Sequence, residues 1–258
     1  MFLKTILETK RHEVECLRRK KPLPELQKAA LDASDTNDFA GAVSGKECAI
    51  IAEVKKRSPS KGIIRNPFDP VEIACHYEQK GAAAISVLTD EQFFGGHGSY
   101  MASIRKMVKL PLLRKDFIID ICQIYETKIL GADAILLIAA ILDRKDLKDF
   151  IMLAESLGLS SLVEVHTIAD VEKALAAGAN ILGINNRDLV TFVTDLNVSR
   201  DLISSIPDDI TAISESGIVT RQDIEMLMKV GINTFLIGET LMTAEDTGAK
   251  LDELLGRG

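Results

Sequence analysis

The chain has 258 residues, a formal net charge of −7, 47% hydrophobic residues and 27% charged residues. These are globular proportions; the acidic balance argues against a nucleic-acid partner, and no uncharged window approaches the length of a membrane span. The four cysteines, Cys16, Cys48, Cys75 and Cys122, show neither CxxC pairing nor metal-ligand spacing, which points to free thiols in a reducing compartment. Lys4, Glu8 and Lys10 interrupt the first apolar cluster, so it does not read as a secretory leader. The expectation is a soluble, cytoplasmic protein without a membrane partner.

Residues 2–19 carry Phe2, Leu3, Ile6, Leu7, Val14 and Leu17 at helical spacing. Pro22 and Pro24 break the pattern, and residues 25–31 resume it as a second helix. The basic cluster Lys10, Arg11, Arg18, Arg19, Lys20 and Lys21 is interleaved with Glu8, Glu13 and Glu15 and reads as a solvated helix face. This segment stands outside the repeat that follows. Residues 1–48 are therefore expected to form a helical extension packed against residues 49–258, the whole being one domain.

From residue 49 onward one unit recurs: an apolar strand, a polar loop, an amphipathic helix, and a glycine before the next strand. The strand-like runs are 49–55, 83–89, 111–117, 133–139, 161–166, 180–185, 210–216 and 233–238. Gly81, Gly131, Gly178 and Gly231 each stand where a helix would end on a left-handed residue. Asp69-Pro70 reads as a helix start, and Thr167 with Asp170 and Thr220 with Asp223 as capping boxes. Runs such as 134–138 are apolar on both faces, as parallel strands under helices should be. Eight such units fit a closed (β/α)8 TIM barrel. The open, doubly wound alternative is weakened because no Gly-x-Gly-x-x-Gly follows the first strand.

In such a barrel the active site lies at the C-terminal ends of the strands. Those ends carry Glu53 and Lys55, Lys115, Glu164, Asn185 and Glu215. Glu53 and Lys55 are two apart and share one strand face. Alone they could be a structural ion pair; together with Lys115, Glu164 and Asn185 they converge on one ligand. Two lysines and two glutamates in close quarters would shift one another's pKa values and supply both acid and base. Residues 213–218 and 236–240 place Gly217 and Gly238 after the seventh and eighth strands, the recurrent phosphate site of this fold. His12, His76 and His97 have no evident partner, and His166, just past Glu164, is left out of the site. No His/Asp/Glu cluster has metal spacing.

The run Ile-Ile-Ala-Glu-Val-Lys-Lys-Arg-Ser-Pro-Ser at 50–60 closely resembles the signature of the indole-3-glycerol-phosphate synthases of tryptophan biosynthesis. Residues 113–117, 162–165, 183–189, 214–218 and 236–239 match the later motifs of that family in order, so the resemblance spans essentially the whole chain. It implies ring closure of 1-(2-carboxyphenylamino)-1-deoxyribulose 5-phosphate with loss of carbon dioxide and water, without a metal or organic cofactor. It implies Lys115 as the general acid, Lys55 as a holder of anionic groups and proton donor, and Glu164 as the later acid/base. Glu53 and Asn185 would orient the intermediates, and Arg187 and Ser216 would help fix the anthranilate portion.

Ser58, Gly217, Gly238 and the Glu239 backbone N–H match phosphate contacts. Leu88, Phe94, Phe117, Leu136, Leu189 and Leu236 match the apolar pocket, and Glu215 is expected among the substrate contacts. The loop 94–99 is longer than the family's usual one. The expected partner is a small phosphorylated substrate, the expected assembly a monomer or weak homo-oligomer, and the chain's end soon after the eighth unit suggests a single activity. Two other readings fit the same barrel: a Schiff-base aldolase using Lys115 or Lys55, and a non-catalytic binder of a phosphorylated ligand.

Overall fold

The computed structural model describes residues 2–188 and 191–257. Three helices come first, α1 (Phe2–Lys20), α2 (Leu23–Leu31) and α3 (Phe39–Val43). The barrel strands are β1 (Ala49–Val54), β2 (Ala84–Leu88), β3 (Leu112–Lys115), β4 (Ala134–Ile138), β5 (Ser160–Val165), β6 (Ile181–Asn185), β7 (Thr211–Glu215) and β8 (Thr234–Ile237). All neighbours are parallel, and the sheet closes where β8 pairs with β1, from Ala49 opposite Thr234 to Ala52 opposite Ile237. Between the strands lie α4 (Pro70–Gln79), α5 (Gly98–Arg105), α6 (Ile121–Ile129), α7 (Arg144–Ser156), α8 (Ile168–Ala177), α9 (Asn197–Leu202) and α10 (Arg221–Met228). α11 (Glu239–Thr243) and α12 (Thr247–Leu255) follow β8. Each expected strand run contains or overlaps its observed strand.

Local chemistry sets these boundaries. Asp69 accepts from the N–H groups of Val71 and Glu72 at the start of α4, with Pro70 in the first turn. Thr167 with Asp170 and Thr220 with Asp223 form reciprocal capping boxes on α8 and α10. α8 ends on Gly178 at φ 92°, a conformation that a β-carbon would strain. Along each strand, alternate residues take opposite faces. Ile50, Ala52 and Val54 of β1 pack outward under the helices, while Ile51 joins Leu113, Leu162 and Ile213 inside the barrel. With both faces buried, the strands read as continuous apolar runs.

The N-terminal extension embraces the barrel at both ends. At the floor, Phe39 and Val43 of α3 join the interior cluster, and the Thr234 hydroxyl donates to the Val43 carbonyl at 2.7 Å. On the flank, α2 buries Leu26 and Ala30, and Gln27 donates to the Tyr125 hydroxyl at 3.3 Å. At the mouth, Phe2 meets Phe93 and Phe192 edge-on, with ring centroids 5.5 and 5.2 Å away.

Two expectations need correction here. The basic cluster is not wholly a solvated face: Lys10 is 1% exposed, on the buried stripe of α1 with Ile6 and Val14. The reason is spacing, since Ile6, Lys10 and Val14 are four apart and share one helix face. The histidines, for their part, do have partners: His12 Nε2 lies 3.8 Å from Cys16 Sγ, His76 Nδ1 lies 3.4 Å from the Thr247 hydroxyl, and His97 has two. Its ring caps α5, accepting from the Ser99 N–H at 3.0 Å, and lies 3.1 Å from Glu91.

Asp133 fastens the extension to the barrel. Its carboxylate accepts from the N–H of Asn37 at 2.6 Å, from that of Leu112 at 2.7 Å and from Arg105 at 2.8 Å. Asp133→Ala leaves two N–H donors without their acceptor and removes the carboxylate partner of Arg105, which keeps the Val108 and Leu110 carbonyls, so it should lower unfolding stability by about 3 kcal/mol. Equilibrium urea denaturation measures this, and a loss below about 1 kcal/mol would contradict the assignment.

Candidate active site

A cavity of about 390 Å³ opens at the C-terminal ends of the strands. Glu53, Lys115, Glu164 and Asn185 line it from β1, β3, β5 and β6, and Lys55 lines it from just beyond β1. The Lys55 ammonium donates to Glu53 at 2.6 Å. That of Lys115 donates to Glu215 at 2.9 Å and to Glu164 at 3.4 Å. Two ammonium groups thus face three carboxylates, one negative charge in excess.

The excess falls on Glu215. Burial pushes its carboxyl up to about 7 against the pull of Lys115, with Glu164 adding repulsion. Burial also works against the Glu53 carboxylate, but Lys55 and Lys115 outweigh it and hold that group below the usual range. Burial opposes the charge on Lys115 too, and Glu215 and Glu164 overcome it, so this ammonium is held protonated well above its ordinary value.

Two glycines make room for this array. A β-carbon on Gly183, in β6, would collide with the Glu215 carboxylate, and one on Gly238 would collide with that of Glu53. Neither glycine has a positive φ. Their role is to let a carboxylate lie across the neighbouring strand.

One wall of the cavity is apolar, with Leu88, Phe94, Phe117, Leu136, Ile138 and Leu236. The rings of Phe94 and Phe117 lie 6.2 Å apart. Polar groups come from elsewhere around it, with Ser58 and Ser60 from the loop after β1 and Arg187, Thr194, Ser216, Gly217, Gly238 and Glu239 from the loops after β6, β7 and β8. Ser216 and Gly217 take φ values of 67° and 81°, which turn the chain sharply at the end of β7. Arg187 donates to Thr194 at 3.1 Å and to Glu239 at 3.3 Å, and Lys61 pairs with Glu239 at 2.8 Å.

Most residues anticipated from the sequence meet in this one cavity. Glu215 differs: it is 1% exposed and lies behind Lys115 instead of on the wall, because Gly183 leaves space for it there. Leu189 lies outside the described residues. Asp90, Asp116, Phe192 and Thr194 also line the cavity and were not anticipated. Asp90 and Asp116 each follow a strand-end residue, Thr89 and Lys115, which was the available signal. His166 stays off the wall, with Nδ1 2.7 Å from the Asn185 carbonyl oxygen. Among the described residues no group of three or more His, Cys, Asp or Glu is arranged to hold a metal ion, and no helix is long and apolar enough to cross a membrane.

The architecture is shared with (β/α)8-barrel proteins of known structure. The chain superposes on 3-hexulose-6-phosphate synthase with a TM-score of 0.65 at 15% identity, covering 81% of this chain and 99% of that one. It superposes on thiamine phosphate pyrophosphorylase from Pyrococcus furiosus with a TM-score of 0.62 at 16% identity, covering 82% and 95%. At those identities the likeness defines the fold alone, a (β/α)8 barrel with the ionisable residues at its mouth.

Sequence goes further. The family model described as indole-3-glycerol phosphate synthase matches residues 3–254. Proteins of that name from Alkaliphilus metalliredigens and Chloroherpeton thalassium are 50% and 47% identical, over 98% and 96% of this chain and 98% and 97% of theirs. The chain belongs to the indole-3-glycerol phosphate synthase family, carboxy-lyases of tryptophan biosynthesis that act on a phosphorylated small molecule.

Two outcomes follow from the array. Gly183→Ala should push Glu215 away from Lys115 and lower kcat/KM by roughly 10²-fold while the protein stays folded, since displacements near 1 Å can cost that much. Steady-state kinetics with circular dichroism tests this, and an unchanged kcat/KM would contradict it. The second concerns pH. Between 4.5 and about 7 the folded chain binds more protons at Glu215 than the unfolded chain does, so this group's contribution to stability falls as pH rises through that window. Glu215→Gln removes the titration; from about pH 5 to about pH 8 the wild type should therefore lose melting temperature relative to the variant. A difference independent of pH would show that Glu215 titrates normally.

Proposed function

We propose that the cavity binds 1-(2-carboxyphenylamino)-1-deoxyribulose 5-phosphate and closes the indole ring, with Lys115 as general acid. The observation that carries this reading is the Lys115 ammonium, largely enclosed and held protonated between Glu164 and Glu215. In the first step the ring carbon that bears the carboxylate attacks the ribulose carbonyl carbon. A carbon–carbon bond forms, aromaticity is lost, and the carbonyl oxygen takes a proton from Lys115 to become a hydroxyl. A fixed ammonium aimed at that developing oxyanion is worth most where water is excluded.

Decarboxylation then breaks the bond to the carboxylate, and its electron pair returns aromaticity to the ring. In the last step the hydroxyl leaves as water with a proton from Lys55, while Glu164 takes a proton from the methylene beside the nitrogen. Glu53, whose carboxylate is held ionised, accepts from the Lys55 side chain at 2.6 Å and keeps it in place, and Asn185 orients the intermediates. Arg187 and Ser216 hold the carboxylate of the anthranilate portion, and the apolar wall around Phe94 and Phe117 receives its ring. Ser58 and the backbone N–H groups of Gly217, Gly238 and Glu239 take the phosphate.

A Schiff-base mechanism needs a neutral lysine amine as nucleophile. The Lys115 amine is held protonated, which disfavours that nucleophilic role.

The test is turnover of the carboxyphenylamino-deoxyribulose phosphate, followed by indole fluorescence. Wild type should turn over, and Lys115→Met should lose at least about 10²-fold in kcat while still binding substrate. Near-normal turnover by the variant would remove Lys115 as the acid. A borohydride-trapped adduct on Lys115 or Lys55 would put a covalent mechanism in its place.

A further inference from the structure

One buried ionisable group has no part in that chemistry. The Lys10 ammonium of α1 lies 2.8 Å from Asp90, 2.8 Å from Asp116 and 2.8 Å from Glu13. Of these, Glu13 is half-exposed, whereas Asp90 and Asp116 are buried and line the cavity. Burial works against a charge on Lys10, and the two aspartates overcome it, so the side chain stays an ammonium.

What those aspartates hold makes the contact functional. Asp90, just past β2, accepts from the N–H groups of Phe93 and Phe94 at 2.7 and 3.0 Å. Asp116, just past β3, accepts from the N–H of Phe117 at 2.8 Å and from the Thr89 hydroxyl at 2.6 Å. One oxygen of each aspartate fixes the backbone that carries an aromatic ring of the cavity, and Lys10 lies between the two carboxylates. Without a cation there, two buried carboxylates would face each other, and like charges in a low dielectric repel strongly.

We propose that Lys10 is a positioning residue of the active site: its ammonium clamps the loops after β2 and β3 through Asp90 and Asp116 and so sets the spacing of Phe94 and Phe117. The N-terminal extension thereby shapes the wall that receives the aromatic half of the substrate. The proposal rests on the functional reading above.

The test is the kinetics of Lys10→Met, Asp90→Asn and the double variant on the carboxyphenylamino-deoxyribulose phosphate. Asparagine keeps the acceptor for Phe93 and Phe94 while removing the charge. Lys10→Met should raise KM by about tenfold with kcat changed less than about threefold, as expected when binding and not the chemical step is affected. Adding Asp90→Asn should bring KM back toward the smaller rise, about threefold, of Asp90→Asn alone, because the repulsion has gone. A helix that merely adds stability would lower the melting temperature of Lys10→Met and leave both constants at wild-type values; that result overturns the proposal, as does a double variant worse than either single one. If Lys10→Met does not fold, Asp90→Asn alone decides, and an unchanged KM overturns the proposal. Wild-type protein that fails to turn the substrate over would sink the functional reading, and this inference with it.

Discussion

The ammonium of Lys115 sits inside a closed barrel, and its charge is tolerable there only because Glu215 and Glu164 lie within ion-pair distance. The surrounding design follows from that requirement. A carboxylate as deep as Glu215 needs space that a barrel packed with branched side chains does not have, and Gly183 supplies it. Glu53 needs the same from Gly238. With three acids around two amines, the most deeply buried carboxyl, that of Glu215, takes up part of the mismatch by keeping its proton up to about pH 7.

β3 shows how closely two charge systems can be set. Lys115 faces into the barrel, while Arg114, its neighbour in sequence, faces outward and donates to Glu126 at 2.9 Å and to the Thr89 hydroxyl at 3.0 Å. Strand alternation keeps the two cations on opposite sides of the sheet. Asp116 is the joint between the systems. It pairs with Arg114 on the outer side and with Lys10 beneath α1, and both cations, against the effect of burial, hold it ionised below the usual range.

The repeating architecture was legible because its determinants are local. Capping threonines, glycines before strands and doubly apolar runs each depend on a few neighbouring residues, and these gave the eight units and their order. The convergence of Glu53, Lys55, Lys115, Glu164 and Asn185 was legible too, since barrel closure brings strand ends together whatever the side chains. What escaped depends on depth and on long-range pairing. Glu215 looked like a wall residue because alternation gives the face of a side chain but not whether a neighbouring glycine lets it sink. Lys10 looked solvated because its acids lie in loops far along the chain, although its four-residue spacing from Ile6 and Val14 already put it on the buried face. Asp90 and Asp116 were passed over for the same reason, their partner being in a helix that the repeat did not include.

The extension's embrace has a consequence for synthesis. Its contacts join residues remote in sequence: Arg18 pairs with Asp120 across 102 residues, and the Val43 carbonyl waits for Thr234, 191 residues later. As the chain leaves the ribosome, the first helices emerge before the surfaces that cover them, with Phe39 and Val43 and the charge of Lys10 still facing water. Contacts of such separation are slow to form, since loop closure must precede any gain from them. The segment made first is thus among the last to find its place, and the floor under the finished mouth is sealed only when the eighth strand arrives.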